Sequence, residues 1–294
     1  MDKRIKTKGE KSFLVFNVLL MLLAIFIMIY PMWHVLCASF SDASLLLAHK
    51  GAVLLPKGFS IDAYVAVSKN PMILTSYMNT LFIVAVGLSI NIVLTSMAAY
   101  VLSRKNLFFQ RGIMVFIIVT MYISGGTIPF YFLVKGIGLE DSIWSMIIPS
   151  AINTYNLIIT RSAFASIPES MEESARLDGA GHLKILFSII FPLARATIAV
   201  IVLYYAVQHW NSWFNAVLFI NDRNKYPLQL VLREILIQND TSAMSQGVGM
   251  EDQYSVAESI KYAVTIVATV PILCIYPFIQ KYFESGVMLG AVKG

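Results

Sequence analysis

Between Arg161 and Arg195 the chain carries a cluster of acids, Glu169, Glu172, Glu173 and Asp178, closed by Gly179. Carboxylates in the first turn of a helix favour the positive end of its dipole. Glu172 and Arg176 stand at the i,i+4 spacing of a helical ion pair. Ser166 with Glu169 reads as a capping box, and Pro168 falls in the first turn, where its missing N–H costs little. Gly179 suits a left-handed C-terminal cap. A second short helix over about residues 183–191 then runs into Pro192. This is the chemistry of recognition, a charged helix and a turn offered to a partner. An interfacial amphipathic helix that only anchors the chain is the equally weighted alternative.

A second group lies further on. At about 100° per residue, Tyr204, Gln208, Asn211 and Asn215 share one narrow sector of a helix, flanked by Tyr205, His209 and Ser212. Amides facing lipid are expensive, so this stripe must face protein or water. Hydroxyls and amides beside flat apolar faces suit a sugar, and the same groups serve equally well as hydrogen-bonding glue between helices. His209 reads as a packing residue. Asn79, Asn91, Thr95 and Ser96 form a further, less specific polar set. Ser124-Gly125-Gly126-Thr127-Ile128-Pro129 predicts a kink or hinge.

Other chemistries lack their residues. There is no G-x-x-x-x-G-K-[ST] phosphate loop, no H-E-x-x-H and no G-x-S-x-G, and the four histidines (His34, His49, His182, His209) lie far apart. Cys37 and Cys274 give neither a disulfide framework nor a metal spacing.

The elements that must position these groups are membrane helices. The chain has 294 residues, 57% of them hydrophobic and only 13% charged, with a mean hydropathy of +0.71; a soluble domain would carry about 25% charged residues. Charge-free intervals fall at 12–41, 70–103, 112–134, 142–160, 196–221 and 262–280. Each is long enough for the about 20 residues that cross roughly 30 Å of hydrocarbon, the fourth barely so. The expected fold is therefore all-α, a single polytopic membrane domain over 1–294 with six transmembrane helices. Basic residues set its orientation. The segments 1–11, 104–111, 161–195 and 281–294 together hold 14 Lys and Arg, against 8 in the alternate segments. The positive-inside rule puts both termini in the cytoplasm. The first span is too long for a signal-peptide core, and no small-residue cleavage site follows it. Outside, residues 42–69 form a loop with a short amphipathic piece near 61–67, residues 135–141 a tight turn, and residues 222–261 the largest loop. The middle of that loop, 239–254, is rich in Gly, Ser, Asn and acids and reads as mobile or as a partner surface. The spans hold no carboxylate of the kind an ion-coupled carrier uses.

Glu173-Ser174-Ala175, three residues, Gly179, nine residues, then Ile189-Ile190-Phe191-Pro192 resembles the EAA motif of bacterial ABC-importer permeases. Ser174 and Phe191 depart mildly from that pattern, one small and one apolar. The tail Gly290–Gly294, the run from His209 to Asn215, and Tyr226-Pro227-Leu228-Gln229 are similar to carbohydrate-uptake permeases of the MalG-like and LplC-like type. The resemblance implies that the loop 161–195 is a cytoplasmic helix-turn-helix coupling loop. Glu173, Ala175, Asp178 and Gly179 then take the motif positions that engage an ATPase subunit. It also implies a heterodimer with a second, different permease, two copies of the ATPase subunit and an extracytoplasmic substrate-binding protein. ATP and Mg would sit on the partner subunits, with no cofactor in this chain. The expected substrate is a carbohydrate, an oligosaccharide above all, and the expected location the bacterial inner membrane, in contact with lipid and without nucleic acid. A secondary carrier and a non-transporting scaffold are the alternatives. The first is opposed by the missing intramembrane charges, and the second leaves the motif spacing unexplained.

Overall fold

A computed structural model describes residues 8–104, 107–238, 259–274 and 277. The tail 281–294 and the loop centre 239–254 lie outside the described residues. In chain order the helices are α1 (Lys8–Ser39), α2 (Ala43–Ala48), α3 (Asp62–Lys69), α4 (Pro71–Ser103), α5 (Gln110–Tyr122), α6 (Thr127–Gly136) and α7 (Thr154–Ala165). They continue as α8 (Glu169–Leu177), α9 (His182–Ile185), α10 (Phe191–Leu193), α11 (Arg195–Trp210), α12 (Trp213–Phe219) and α13 (Leu228–Gln238), then α14 (Ser259–Cys274). Among the described residues there is no strand, only an isolated bridge between Ser41 and Phe59. The all-α expectation holds.

The helices depart from six straight spans in physically legible ways. α1 and α4 are uninterrupted and long and apolar enough to cross a membrane. The 33 residues of α4 rise about 50 Å, more than the roughly 30 Å of hydrocarbon requires. The third interval is broken sharply at the 124–129 segment, where a kink is expected. α5 and α6 meet at 116°, where Gly126 adopts a positive φ of 85° and Pro129 has no N–H to bond back to the Gly125 carbonyl. In the fourth interval two short 3-10 turns, Ile143–Met146 and Ile148–Ser150, part at Ile147, and Pro149 lies in the second. The helix starts only at Thr154, where the Asn153 side chain accepts from the Asn156 N–H at 3.2 Å. The fifth interval breaks at Asn211 and Ser212, between α11 and α12. The short helix expected near 61–67 is α3.

The chain divides into two compact units, residues 1–70 with 235–269 and residues 71–234 with 270–294. In the first, Cys37, Ala38, Leu46 and Val53 form a small core against Tyr262. Ser39 and Tyr64 share a hydrogen bond of 2.7 Å, and the Trp33 indole donates to the Leu54 carbonyl at 2.9 Å. In the second, α4 packs along both α7 and α11. Towards one end Ile83, Met146, Ile147, Ala216, Ile220 and Leu230 are buried together. Towards the other, Ala99 and Tyr100 of α4 meet Phe164, Ala175, Ile185 and Ile190, which places the acidic helix α8 against the end of α4. Cys37 and Cys274 are both free thiols.

Candidate functional site

The acidic segment folds as a helix, a glycine turn and a second helix, with different caps from those expected. Ser166 does not cap α8; it ends α7, its hydroxyl donating to the Ala163 carbonyl at 2.7 Å. The N-cap position of α8 belongs to Pro168, with no side-chain cap bond. α7 runs to Ala165, so the serine is claimed by the preceding helix before it can serve the next. The C-terminus is as expected. Gly179 sits at a φ of 79°, its N–H bonds to the Arg176 carbonyl at 3.0 Å, and the Ala180 N–H to the Ala175 carbonyl at 2.9 Å. This paired closure is the Schellman arrangement. α9 follows, passes through a π-helical turn at Leu186–Ile190 into α10, and then bends by 91° into α11.

The four motif positions divide by exposure. Glu173, Asp178 and Gly179 face outward, while Ala175 is buried in the core formed by Tyr100, Phe164 and Leu186. Leu177, beside the turn, is 90% exposed. The carboxylate that holds the helix down is the neighbouring Glu172, only 4% exposed. The Tyr100 hydroxyl donates to its Oε1 at 2.6 Å, Arg176 Nη2 to the same oxygen at 2.5 Å, and Arg104 Nε stands 3.0 Å from Oε2. The Arg104 guanidinium also lies 4.9 Å from the centre of the Tyr100 ring, and His182 Nδ1 lies 3.4 Å from the Tyr100 hydroxyl. The i,i+4 spacing shows Glu172–Arg176; Tyr100, Arg104 and His182 are distant in sequence and only the fold brings them in. The end of α4 is further capped by Arg161 Nε and Gln110 Nε2, which both donate to the Leu102 carbonyl, at 3.1 Å and 2.7 Å. Cationic and amide donors at a helix C-terminus satisfy its free carbonyls.

The polar stripe is not continuous. Tyr204 and Gln208 lie on α11, Asn211 at its C-cap and Asn215 on α12, because the 100° projection fails at the break. Tyr204 is 39% exposed, with its ring 6.3 Å from that of Tyr155. Asn211 spends its amide on the Val207 carbonyl at 3.0 Å. Asn215 does reach a cavity of about 420 Å³, shared with Ser124, Gly125, Gly126, Thr127 and Phe130 of the broken α5–α6 segment.

The flanking residues are the glue. Tyr205 shares a 2.7 Å hydrogen bond with Thr95 and accepts from the Asn153 N–H at 2.9 Å. Asn91 donates to the Ser150 and Ala151 carbonyls at 2.7 and 2.9 Å. Its Oδ1 is therefore an acceptor for His209 Nε2 at 2.6 Å, which fixes the proton on that nitrogen. Asn79 closes the other end, donating to the Asn224 and Tyr226 carbonyls at 2.7 and 3.1 Å.

Two helices long and apolar enough to cross a membrane, with two further pairs sharply bent, mark an integral membrane protein. Residues 91–289 match the binding-protein-dependent transport system inner membrane components, and the chain belongs to that family. It is similar to the polygalacturonan/rhamnogalacturonan transport system permease protein YtcP of Bacillus subtilis (strain 168), with 42% identity spanning 96% of this chain and 97% of that protein. Protein LplC of the same organism is 38% identical, spanning 98% and 97%. Among solved structures, a chain of a bacterial ABC transporter involved in the import of the acidic polysaccharide alginate aligns with a TM-score of 0.87 and 28% identity. That alignment covers 96% of this chain and 100% of that one. The protein is thus a permease subunit of an ABC importer, an integral membrane component that works with a substrate-binding protein and is not itself an enzyme.

Proposed function

We propose that this chain forms half of the translocation pathway of an ATP-driven carbohydrate importer, with an oligosaccharide as its substrate. Its six charge-free intervals cross the inner membrane with both termini in the cytoplasm, and the 161–195 loop couples the bundle to the ATPase. The observation that carries this reading is the division of labour on α8. Glu172 and Ala175 face inward and fix the helix to α4, while Glu173, Asp178 and the Gly179 turn face outward. A helix clamped on one side and free on the other can pass a partner's movement into α4, and a helix that merely floated in the interface would need no clamp. In the assembly, a second, different permease completes the pathway, two ATPase subunits bind ATP and Mg, and the binding protein delivers the sugar from outside. Glu173 is the charged contact for a basic group on the ATPase. The cavity beside Asn215, Thr127 and Phe130 presents amide, hydroxyl and aromatic surface to a passing saccharide. Carbohydrate as the substrate class is supported by the relatives, which are named for polygalacturonan/rhamnogalacturonan transport and alginate import.

Reconstitution in proteoliposomes tests the reading. With the second permease, the ATPase and the binding protein present, oligosaccharide uptake requires ATP and ceases in Glu173→Lys. Uptake on an ion gradient without any ATPase subunit would establish a carrier instead.

A further inference from the structure

Beside the Glu172 clamp lies a second cavity, of about 390 Å³, lined by Met97, Val101, Leu107, Leu183 and Leu186 and rimmed by Tyr100, Arg104, Arg176 and His182. Its volume falls within the about 300–1,000 Å³ of small-molecule sites. The rim is positively charged, since two guanidiniums share one carboxylate, that of Glu172. Arg104 Nη2 is buried and has no hydrogen-bond partner among the described residues, a costly state for a cationic donor. The rest of the wall is apolar. Met97 and Val101 are 40% and 50% exposed on the membrane-crossing helix α4, and Leu183 is 61% exposed, so the cavity opens sideways along that helix. A soluble anion would use the cationic rim and leave the apolar wall wet. A molecule with an anionic head and hydrocarbon tails satisfies both.

We infer that this cavity binds the phosphate of an anionic phospholipid, with Arg104 and His182 holding the headgroup and Met97, Val101 and Leu183 flanking the acyl chains. Basic pockets between membrane helices on the cytoplasmic side suit such headgroups, and guanidinium–phosphate pairs are strong and directional. The inference rests on the cytoplasmic placement of the 161–195 loop. A lipid seated there touches the groups that clamp α8 to α4, so membrane composition would bear on the coupling joint itself.

The test is native mass spectrometry of the assembled, delipidated transporter titrated with phosphatidylglycerol or phosphatidylcholine. Phosphatidylglycerol is expected to be retained on the permease and phosphatidylcholine not. Arg104→Gln should weaken retention about fivefold. Val101→Trp, which fills the cavity without touching the ion cluster, should weaken it at least as much. Equal retention of both lipids, or unchanged retention in both variants, overturns the proposal. So does displacement of the lipid by millimolar glycerol phosphate, which would make a soluble anion the ligand. Retention by the isolated chain but not by the assembly would also overturn it, by giving the cavity to a partner's side chain. The readout is bound lipid and not uptake, so failure here leaves the permease reading standing.

Discussion

The Tyr100 hydroxyl donates to Glu172 Oε1 at 2.6 Å, tying the end of α4 to helix α8 across a gap of seventy-two positions in the chain. Glu172 also meets Arg104 and Arg176, so removing it strands the largely buried Arg104 guanidinium, whereas the half-exposed Arg176 can turn to water. Losing one partner of a buried ionic cluster costs about 3–5 kcal/mol. Glu172→Ala is therefore expected to lower Tm markedly and abolish uptake. Glu173→Lys, on the exposed side, should leave Tm within error of wild type while uptake falls. Equal Tm values for the two variants would remove the clamp.

Gly179 tests conformation apart from space. Its φ is 79°, yet nothing lies within 4 Å of where a Cβ would stand. The cost of a side chain is then backbone strain alone, about 1–2 kcal/mol for a residue that avoids the left-handed region. Gly179→Asn, which tolerates that region, should retain most uptake, and Gly179→Val should lose most of it without clashing. Identical behaviour of Asn and Val in an ATP-dependent uptake assay would mean that the turn does not depend on the left-handed cap.

How far the sequence could be read depends on whether an interaction is local. The Gly179 turn and the Glu172–Arg176 pair are local, and both follow from spacing. The mistaken capping box was local too. It failed because Ser166 can serve either of two adjacent helices, and only the true end of α7 at Ala165 decides between them. The stripe from Tyr204 to Asn215 assumed one helix, and the pattern contains nothing that announces the break at Asn211–Ser212. The exposed sector and its buried flank were both visible as polar residues. What marks His209 and Tyr205 as glue between helices is the partner, Asn91 for His209 and Thr95 for Tyr205, each more than a hundred positions away. Arg104 and Tyr100 were invisible as site residues for the same reason.

Gly87 should be intolerant of even a methyl group. A Cβ there would stand 2.6 Å from His209 Nε2 and 2.8 Å from Cε1, and the ring cannot retreat without breaking its bond to Asn91. Overpacking of this kind costs about 1–3 kcal/mol. Gly87→Ala is expected to lower Tm, and adding His209→Ala to make room should recover part of the loss. A Gly87→Ala protein as stable as wild type would show that α4 and α11 are not in close contact here.

The two glycines of the broken α5–α6 segment should differ. Gly126 has a φ of 85°, whereas Gly125 lacks a positive φ and its Cβ position meets only Pro129 at 3.9 Å. Gly125→Ala should transport normally and Gly126→Ala slowly, as read by initial uptake rates in proteoliposomes. If replacing both glycines leaves the rate unchanged, the bend plays no part in the transport cycle.

Asp141 and Lys225 organise the opposite end of the second unit, and pH reports on them. Asp141 accepts from the Asp222 and Asn221 N–H groups at 3.0 and 3.1 Å, and Lys225 Nζ donates to its Oδ2 at 3.0 Å. The Asp222 amide first, then Lys225 and Asn221, hold the carboxyl below its ordinary 3.8. Chiefly Asp141 raises Lys225 above 10.5. A depressed carboxyl stabilises the fold fully above its unfolded value and loses that contribution as pH falls through the folded one. The raised lysine contributes fully below its unfolded value and loses it only as pH climbs through the folded one. The loop 221–225 should thus be insensitive from about pH 5 to 9 and loosen on acidification below that. Asp141→Asn removes the charge but keeps an acceptor and a residue type tolerant of the φ of 51° found there. Its amide exchange at residues 221–222 should be faster than wild type at neutral pH, with the difference closing as the wild-type carboxyl protonates. Exchange at residues 221–222 in Asp141→Asn equal to wild type at neutral pH would show that the charge on Asp141 contributes nothing to holding the loop.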